Sequence, residues 1–194
     1  HSRVRRQRQM CIRDRSIIDE LPKNRPDIHT SFIEKDNLST AFNFIREKVE
    51  SGGQTIIVYP LINESEKQDL SAAVESYEYL SNSIFPDLNV GLMHGQLEDE
   101  NKNNEMQKFM EGDIDILVST TVVEVGIDNP NVNVMLINNS ERFGLSQLHQ
   151  LRGRVGRGSL ESYCLLCSDS ESPKTKERLS TVSYTHLTLP TNSR

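Results

Sequence analysis

The sequence predicts an α/β fold in which a parallel sheet is covered by helices on both faces. Two observations support this prediction. Five short apolar runs recur along the 194 residues, and they read TIIVYPLI, NVGLMH, IDILVST, VNVMLIN and SYCLLCS. Segments with helical spacing of apolar residues separate most of these runs. Because strands that alternate with helices form parallel crossover units, and strands buried on both sides are apolar throughout, the pattern indicates a parallel sheet inside the molecule.

The segments between the runs carry helix signals of their own. A helix is predicted from Ser39 to the Gly52-Gly53 pair, with Phe42, Ile45 and Val49 on one face. A second is predicted over residues 70–85, where the inward positions are Leu70, Val74, Tyr77, Leu80 and Ile84. The third, over residues 98–112, is expected to turn Met106, Phe109 and Met110 inward and to stop at Gly112. Residues 145–150 are expected to be helical as well.

Composition excludes several classes of protein. Hydrophobic residues make up 35% of the chain, mean hydropathy is −0.54, and no apolar run approaches the ~20 residues that span a bilayer. We therefore expect no membrane association. Three cysteines are too few for a disulfide-stapled secreted domain, and the amino terminus has no apolar leader segment. The expected setting is the cytoplasm.

The two ends of the chain differ from the rest. Residues 5–15 can be back-translated into a transposase-type sequencing adapter, and residues 182–191 into the reverse complement of that adapter. We therefore expect residues 1–15 and 182–194 to be adapter-derived, residues 16–37 to be a linker and entry to the domain, and residues 38–181 to form the domain itself. The alternative for the first segment is a basic arm that binds nucleic acid.

Charge restricts how the segment between these ends can bind nucleic acid. Seven of the 22 basic residues and one of the 28 acidic residues lie in 1–15 and 182–194, which leaves a net charge of −12 on residues 16–181. So acidic a surface does not attract phosphates in bulk. Any contact with nucleic acid must come from locally placed groups.

Two loops contain the candidate functional residues. Ligands of open α/β sheets bind outside the carboxyl ends of the strands, and both loops follow predicted strands. In TTVVEVGIDNP, residues 120–130, Gly126 allows a tight turn or close ligand approach and Asp128 offers an acceptor; a simple turn into the next strand is the alternative. In ERFGLSQLHQLRGRVGRG, residues 141–158, Arg152, Arg154 and Arg157 lie among glycines. Guanidinium forks and close backbone approach suit a polyphosphate or a transferring phosphoryl group, whereas the alternative is a solvated basic loop.

These loops resemble motifs of superfamily 2 helicases. Gln150, Gly153, Arg154 and Arg157 match the Q-x-x-G-R-x-x-R pattern of motif VI, TTVVEVGIDNP resembles motif V, and VYPLI resembles the strand of motif IV. The surrounding stretches VYPLINESEK, GLMHGQL and STTVVEVGIDNPN resemble members of the superfamily that remodel branched DNA. The similarity extends over nearly all of residues 16–181.

The resemblance implies a second RecA-like motor lobe, the helicase C-terminal lobe, of an ATP-dependent DNA helicase acting in recombination and repair. It implies that Arg154 and Arg157 are arginine fingers for ATP bound on a first lobe, and that Gln150 couples the nucleotide to the cleft. Gly153 belongs to the same motif, whereas Gly126 and Asp128 would link nucleotide state to DNA. Its implied partners are branched DNA such as forks and Holliday junctions, and a first lobe and wedge domain in the same chain.

The sequence contains no G-x-x-x-x-G-K-[ST], and we find no Asp-Glu box of the kind that ends an apolar strand. Mg²⁺ is therefore expected on the first lobe, and this chain alone is expected not to hydrolyse ATP. A stand-alone RecA-like module that binds a nucleotide or a partner remains an alternative. So does a lobe of a transcription-repair coupling translocase.

The remaining candidates are single residues. His94 follows a strand, at the position of a loop that in the family faces DNA, and a polar strand end is the alternative. Thr120 and Thr121 are predicted to donate hydroxyls to DNA phosphates, or else to satisfy backbone groups at the strand end. Cys164 and Cys167 form C-x-x-C inside an apolar run without a second pair, so we expect core residues and no metal site.

Overall fold

The computed structural model describes residues 27–60, 66–120, 129–170 and 172–182, and a six-stranded sheet runs through them. The strands are β1 (Ile28–Glu34), β2 (Gln54–Tyr59), β3 (Val90–Met93), β4 (Ile116–Thr120), β5 (Val132–Ile137) and β6 (Ser162–Ser168). Their order across the sheet is β1-β6-β5-β2-β4-β3, and every neighbouring pair is parallel. The carboxyl ends of all the strands therefore lie at one edge of the sheet, which we call the carboxyl edge. Their amino ends lie at the opposite edge, which we call the amino edge.

Helices cover both faces of this sheet. They are α1 (Leu38–Glu50), α2 (Glu66–Tyr79), α3 (Asp99–Glu111), α4 (Leu145–Arg152) and α5 (Pro173–Ser180). One half of the core contains buried side chains of α3, α4 and α5, including Phe109, Leu148 and Leu179. The other half contains Ala41, Phe42 and Ile45 of α1. The predicted fold, a RecA-like parallel sheet between two layers of helices, is confirmed.

The five predicted strands are present, and the sequence missed a sixth. The sequence analysis assigned residues 16–37 to a linker and entry to the domain, and the structure places β1 within that segment. Strand β1 pairs with β6 over its whole length, from Ile28 opposite Ser162 to Glu34 opposite Ser168. His29, Thr30 and Ser31 interrupt the apolar pattern by which the other strands were identified. Pairing with β6, whose residues are all buried, stabilises β1 even though its sequence lacks the apolar pattern of a strand.

The helices differ from prediction in detail. Helix α1 begins at Leu38 rather than Ser39 and ends before Gly52, whose φ is +90°. Helix α3 stops at Gly112, as predicted, but only Phe109 is fully buried, and Met110 is 43% exposed. Met110 was expected to point inward, and this is wrong because it lies one residue past the buried stripe of α3. Helix α5, with proline in its first turn, was not predicted.

None of the helices in the described ranges is long and apolar enough to span a bilayer.

Candidate functional site

The described candidate residues separate onto the two opposite edges of the sheet. Thr120 is the last residue of β4, and His94 directly follows β3, so both lie at the carboxyl edge. Residues 152–158, which we call the arginine loop, begin with the last residue of α4 and precede β6. Their contacts place them at the amino edge.

His94 and Thr120 are neighbours at the carboxyl edge. Strands β3 and β4 are paired with Met93 opposite Ser119, so the next residue on each strand is His94 and Thr120. His94 Nδ1 and Thr120 Oγ1 are both buried, and neither has a hydrogen-bond partner among the described residues. Burial, and to a smaller extent the charge of Lys102, lowers the pKa of His94. The imidazole is therefore neutral at pH 7. As the pH falls below 6.5, the ordinary pKa of histidine, the unfolded chain takes up the proton more readily than the folded one, so the free energy of unfolding decreases.

The arginine loop is not at the edge where the sequence placed it. Because it follows a strand in the chain, it was expected outside the carboxyl ends. Helix α4 instead crosses the sheet between the end of β5 and the start of β6. Arg152 Nη2 donates to the carbonyl of Ile28, the first residue of β1, over 3.4 Å. Gly158 packs against Pro130, which precedes β5. Both partners belong to the amino edge.

Packing of α4 sets the direction of the motif residues. Leu148, Leu151 and Val155 are buried at helical spacing. Gln150 is exposed and Arg154 half-buried, as expected for positions on the side of the helix away from the core. Gly153 ends α4, and its N–H donates to the carbonyl of His149 over 3.0 Å.

Gly156 turns the chain after the helix with a φ of +76°, and this turn precedes the exposed Arg157. A Cβ at Gly156 would lie 3.1 Å from Cγ1 of Ile28. Glycine is therefore favoured at this position for two reasons: it adopts the left-handed backbone conformation readily, and it has no Cβ to crowd Ile28 of β1. The structure brings Gln150, Gly153, Arg154 and Arg157 together within one turn of helix and the loop that follows it.

Arg152 is separated from the other two arginines of the loop. Its Nε is buried and has no hydrogen-bond partner in the described part of the chain. Burial raises the pKa of Cys164, and the nearby charge of Arg152 opposes that rise only in part. The guanidinium of Arg152 thus lies beside the core. Of the three arginines that the sequence analysis grouped, Arg152 donates to β1, whereas Arg154 is half-buried and Arg157 exposed.

A pair of buried amides at the amino edge was missed by sequence analysis. Gln54 Nε2 donates to the carbonyls of Phe109 and Ile114, each over 2.7 Å. Asn129 Nδ2 donates to Gln54 Oε1 over 2.9 Å and to the carbonyl of Phe109 over 3.2 Å. The available signal was a glutamine directly before the apolar run TIIVYPLI, at the start of β2, where a buried polar side chain requires partners.

Three predicted site residues, Thr121, Gly126 and Asp128, lie outside the described residues. Their roles remain predictions. The residues that flank them are described, and they lie at opposite edges: Thr120 ends β4, and Asn129 binds Gln54 at the start of β2.

Cys164 and Cys167 are core residues of β6, as predicted. They are three positions apart on a strand, so their side chains point to opposite faces, Cys164 into one half of the core and Cys167 into the other. Two sulfurs on opposite faces of a sheet cannot bind one metal ion. The described ranges also contain no cluster of three or more metal-ligating side chains. Burial raises the pKa of each thiol to about 12.

We therefore expect both thiols to be unreactive in the folded protein. In a Cys11→Ser variant, an aromatic disulfide reagent at pH 8 should label neither cysteine until denaturant is added, and then both. Because the folded pKa exceeds the ordinary 9.0, these thiols stabilise the fold fully below about pH 9, and that contribution is lost as the pH rises toward 12. Rapid labelling of the native variant would contradict this burial.

Comparison with known proteins identifies what the chain resembles. Residues 36–159 match the family model described as helicase conserved C-terminal domain. The chain is 53% identical over 166 residues to the ATP-dependent DNA helicase RecG of Thermotoga maritima, with 86% of this chain and 21% of that protein covered. It is 46% identical over 173 residues to the RecG of Bacillus subtilis, covering 89% of this chain and 25% of that protein.

Solved structures agree with these matches. A structure of RecG bound to a three-way DNA junction superposes with a TM-score of 0.73 and 49% identity, covering 86% of this chain and 21% of that one. The yeast Dbp5 variant bound to RNA and ADP BeF3 superposes with a TM-score of 0.58 at 17% identity, covering 80% of this chain and 38% of that one, and this match supports the fold alone. The chain spans between a fifth and a quarter of the length of the RecG proteins named here.

Proposed function

Because the chain belongs to the family of helicase conserved C-terminal domains, we propose that it is the second motor lobe of an ATP-dependent DNA helicase that remodels branched DNA. The observation that carries the proposal is the position of the motif VI residues. Gln150 lies on the outward side of α4, and Arg154 and Arg157 follow that helix directly. All three lie at an edge of the sheet where the first lobe can meet them. The opposite edge, with His94 and Thr120, is left for the nucleic acid.

The nucleotide side of the mechanism uses the arginine loop. ATP bound on a first lobe, with its Mg²⁺ held there, would present its γ-phosphate to Arg154 and Arg157. Guanidinium groups stabilise the charge that develops on the transferring phosphoryl group. Gln150 would couple that lobe to the same cleft, and Gly153 would let the backbone approach the nucleotide. Gly126 and Asp128 would link the state of the nucleotide to the DNA side.

The DNA side uses the carboxyl edge. Thr120 and Thr121 would donate hydroxyls to phosphates, which position a strand without reading its sequence. A neutral His94 can donate or accept a hydrogen bond without adding charge. This fits a domain whose overall charge repels DNA and which must therefore bind through single polar groups.

The proposal includes partners that the described residues do not contain. They are a first RecA-like lobe and a wedge domain in the same chain, with the whole protein acting on DNA in the cytoplasm. Support for branched DNA comes from the relatives: the similar RecG structure is described as bound to a three-way junction.

The test compares the 194-residue chain with the longer protein encoded by its genomic locus. The longer protein is expected to hydrolyse ATP, and a three-way junction should stimulate it more than a linear duplex of equal length does. The chain alone is expected to show no turnover above the buffer blank, with or without DNA. Steady turnover by the chain alone, or a longer protein indifferent to DNA, would contradict the proposed function.

A further inference from the structure

We propose that Gln54 and Asn129 are positioning residues. Their side-chain amides, which we call the amide clamp, are buried and hold the arginine loop in the position relative to the sheet that catalysis requires. The inference rests on the proposed function, because it assigns the clamp a role in arginine-finger catalysis. The side chains of Gln54 and Asn129 are 5% and 1% exposed. Neither residue belongs to the motif VI pattern, and Asn129 lies in the segment that resembles motif V, directly after Asp128.

The clamp joins three separate parts of the fold. Gln54 begins β2, Phe109 lies near the end of α3, and Ile114 precedes β4. Gln54 Nε2 donates to both of those carbonyls, and the carbonyl of Phe109 also accepts from Asn129 Nδ2. Asn129 Oδ1 accepts from the N–H of Asn131 over 2.9 Å.

These hydrogen bonds fix both the position and the orientation of the Asn129 side chain. A buried amide is tolerated only when its polar atoms are paired, and each of these pairings has a distinct direction. An apolar pair of similar size would fill the space, but among the described residues only the hydrogen bond from the Val132 N–H to the residue 129 carbonyl would then orient the chain there. The amides therefore specify where the chain enters β5.

Pro130 transmits that position to the arginine loop. Gly158 lies so close to the backbone of Pro130 that a Cβ at residue 158 would collide with the Pro130 carbonyl oxygen. Pro130 follows Asn129 and Gly158 follows Arg157, so two peptide bonds and one tight backbone contact connect the clamp to the second arginine of motif VI. Displacing Asn129 would move the surface on which that arginine is supported.

The experiment uses the longer protein and its DNA-stimulated ATPase. Asn129→Ala is compared with Asn133→Ala, which removes another buried amide at the start of β5; Asn133 is 4% exposed, and its Oδ1 has no hydrogen-bond partner in the described ranges. Both are assayed at a temperature where circular dichroism shows them folded. We expect Asn129→Ala to lower kcat by about 10- to 100-fold, since small misplacements of a catalytic group cost that much. The KM for ATP should stay within about threefold, and Asn133→Ala should match the wild type in kcat.

A second variant tests the transmission step. Gly158→Ala is expected to lower kcat by a similar factor, and the double variant Asn129→Ala/Gly158→Ala should be no slower than the slower single variant, because both act on one contact. If Asn129→Ala does not fold at the assay temperature, Gln54→Ala takes its place in the comparison with Asn133→Ala, because it removes the same hydrogen bond from the other side.

Equal kcat values for the clamp and control variants, or independent effects in the double variant, would overturn the clamp while leaving the proposed function intact. A wild-type longer protein without DNA-stimulated ATPase would overturn the proposed function, and the clamp with it.

Discussion

Replacing Arg154 with alanine is expected to abolish ATP turnover in the longer protein while leaving the fold intact. A positioned arginine finger is worth about 10³- to 10⁵-fold in rate, so the DNA-stimulated ATPase should fall to the level of the assay blank. Arg154 is half-buried, and its backbone N–H donates to the carbonyl of Leu151 over 2.9 Å, a bond that alanine keeps. The loss should therefore be in kcat, with the thermal unfolding midpoint within a few degrees of the wild type.

Arg142→Ala is the matched control for this variant. Arg142 is also an arginine next to α4, but it is exposed in the turn at the carboxyl edge, at the other end of that helix. It should keep the wild-type rate. The assignment of Arg154 fails if the Arg154→Ala protein retains most of its DNA-stimulated rate, or if Arg142→Ala is equally inactive.

The strands that the sequence predicted correctly are those whose own residues carry the signal. Strands β2 to β6 are apolar because both of their faces are covered, so their composition alone identifies them. Strand β1 carries a polar stretch and is stabilised by pairing with β6, a partner 134 positions later in the chain for Ile28 and Ser162. A contact of that separation leaves no periodic signal near Ile28.

The sequence predicted which residues are candidates for the site but not the edge of the sheet at which they lie. The motif pattern identified Gln150, Arg154 and Arg157, whereas the edge on which they lie depends on α4. Its 8 residues extend about 12 Å, enough to bring the chain from one edge of the sheet toward the other. The distinction between Arg152 and its two neighbours, and the pairing of Gln54 with Asn129, 75 residues apart, likewise depend on tertiary packing.

Substitutions in α3 are expected to have the second large effect, on the free energy of unfolding. Two adjacent residues of this helix were both predicted to point inward, and the structure buries only one of them. Phe109 is fully buried against the sheet and Met110 is 43% exposed. Phe109→Ala is expected to reduce the free energy of unfolding by about 3–5 kcal/mol, since it removes a large buried side chain and leaves a cavity. Met110→Ala, its matched control, should change stability by no more than about 0.5 kcal/mol.

Urea unfolding of the 194-residue chain, followed by circular dichroism, measures both changes. The backbone carbonyl of Phe109 accepts hydrogen bonds from Gln54 and Asn129 whatever the side chain, so Phe109→Ala tests packing while keeping the acceptor of the amide clamp. If the two variants lose similar stability, Met110 shares the core with Phe109 and the described orientation of α3 is wrong. If only Phe109→Ala loses stability, the end of α3 is anchored through that ring. The carbonyl to which both amides bind is then held in place by the core itself.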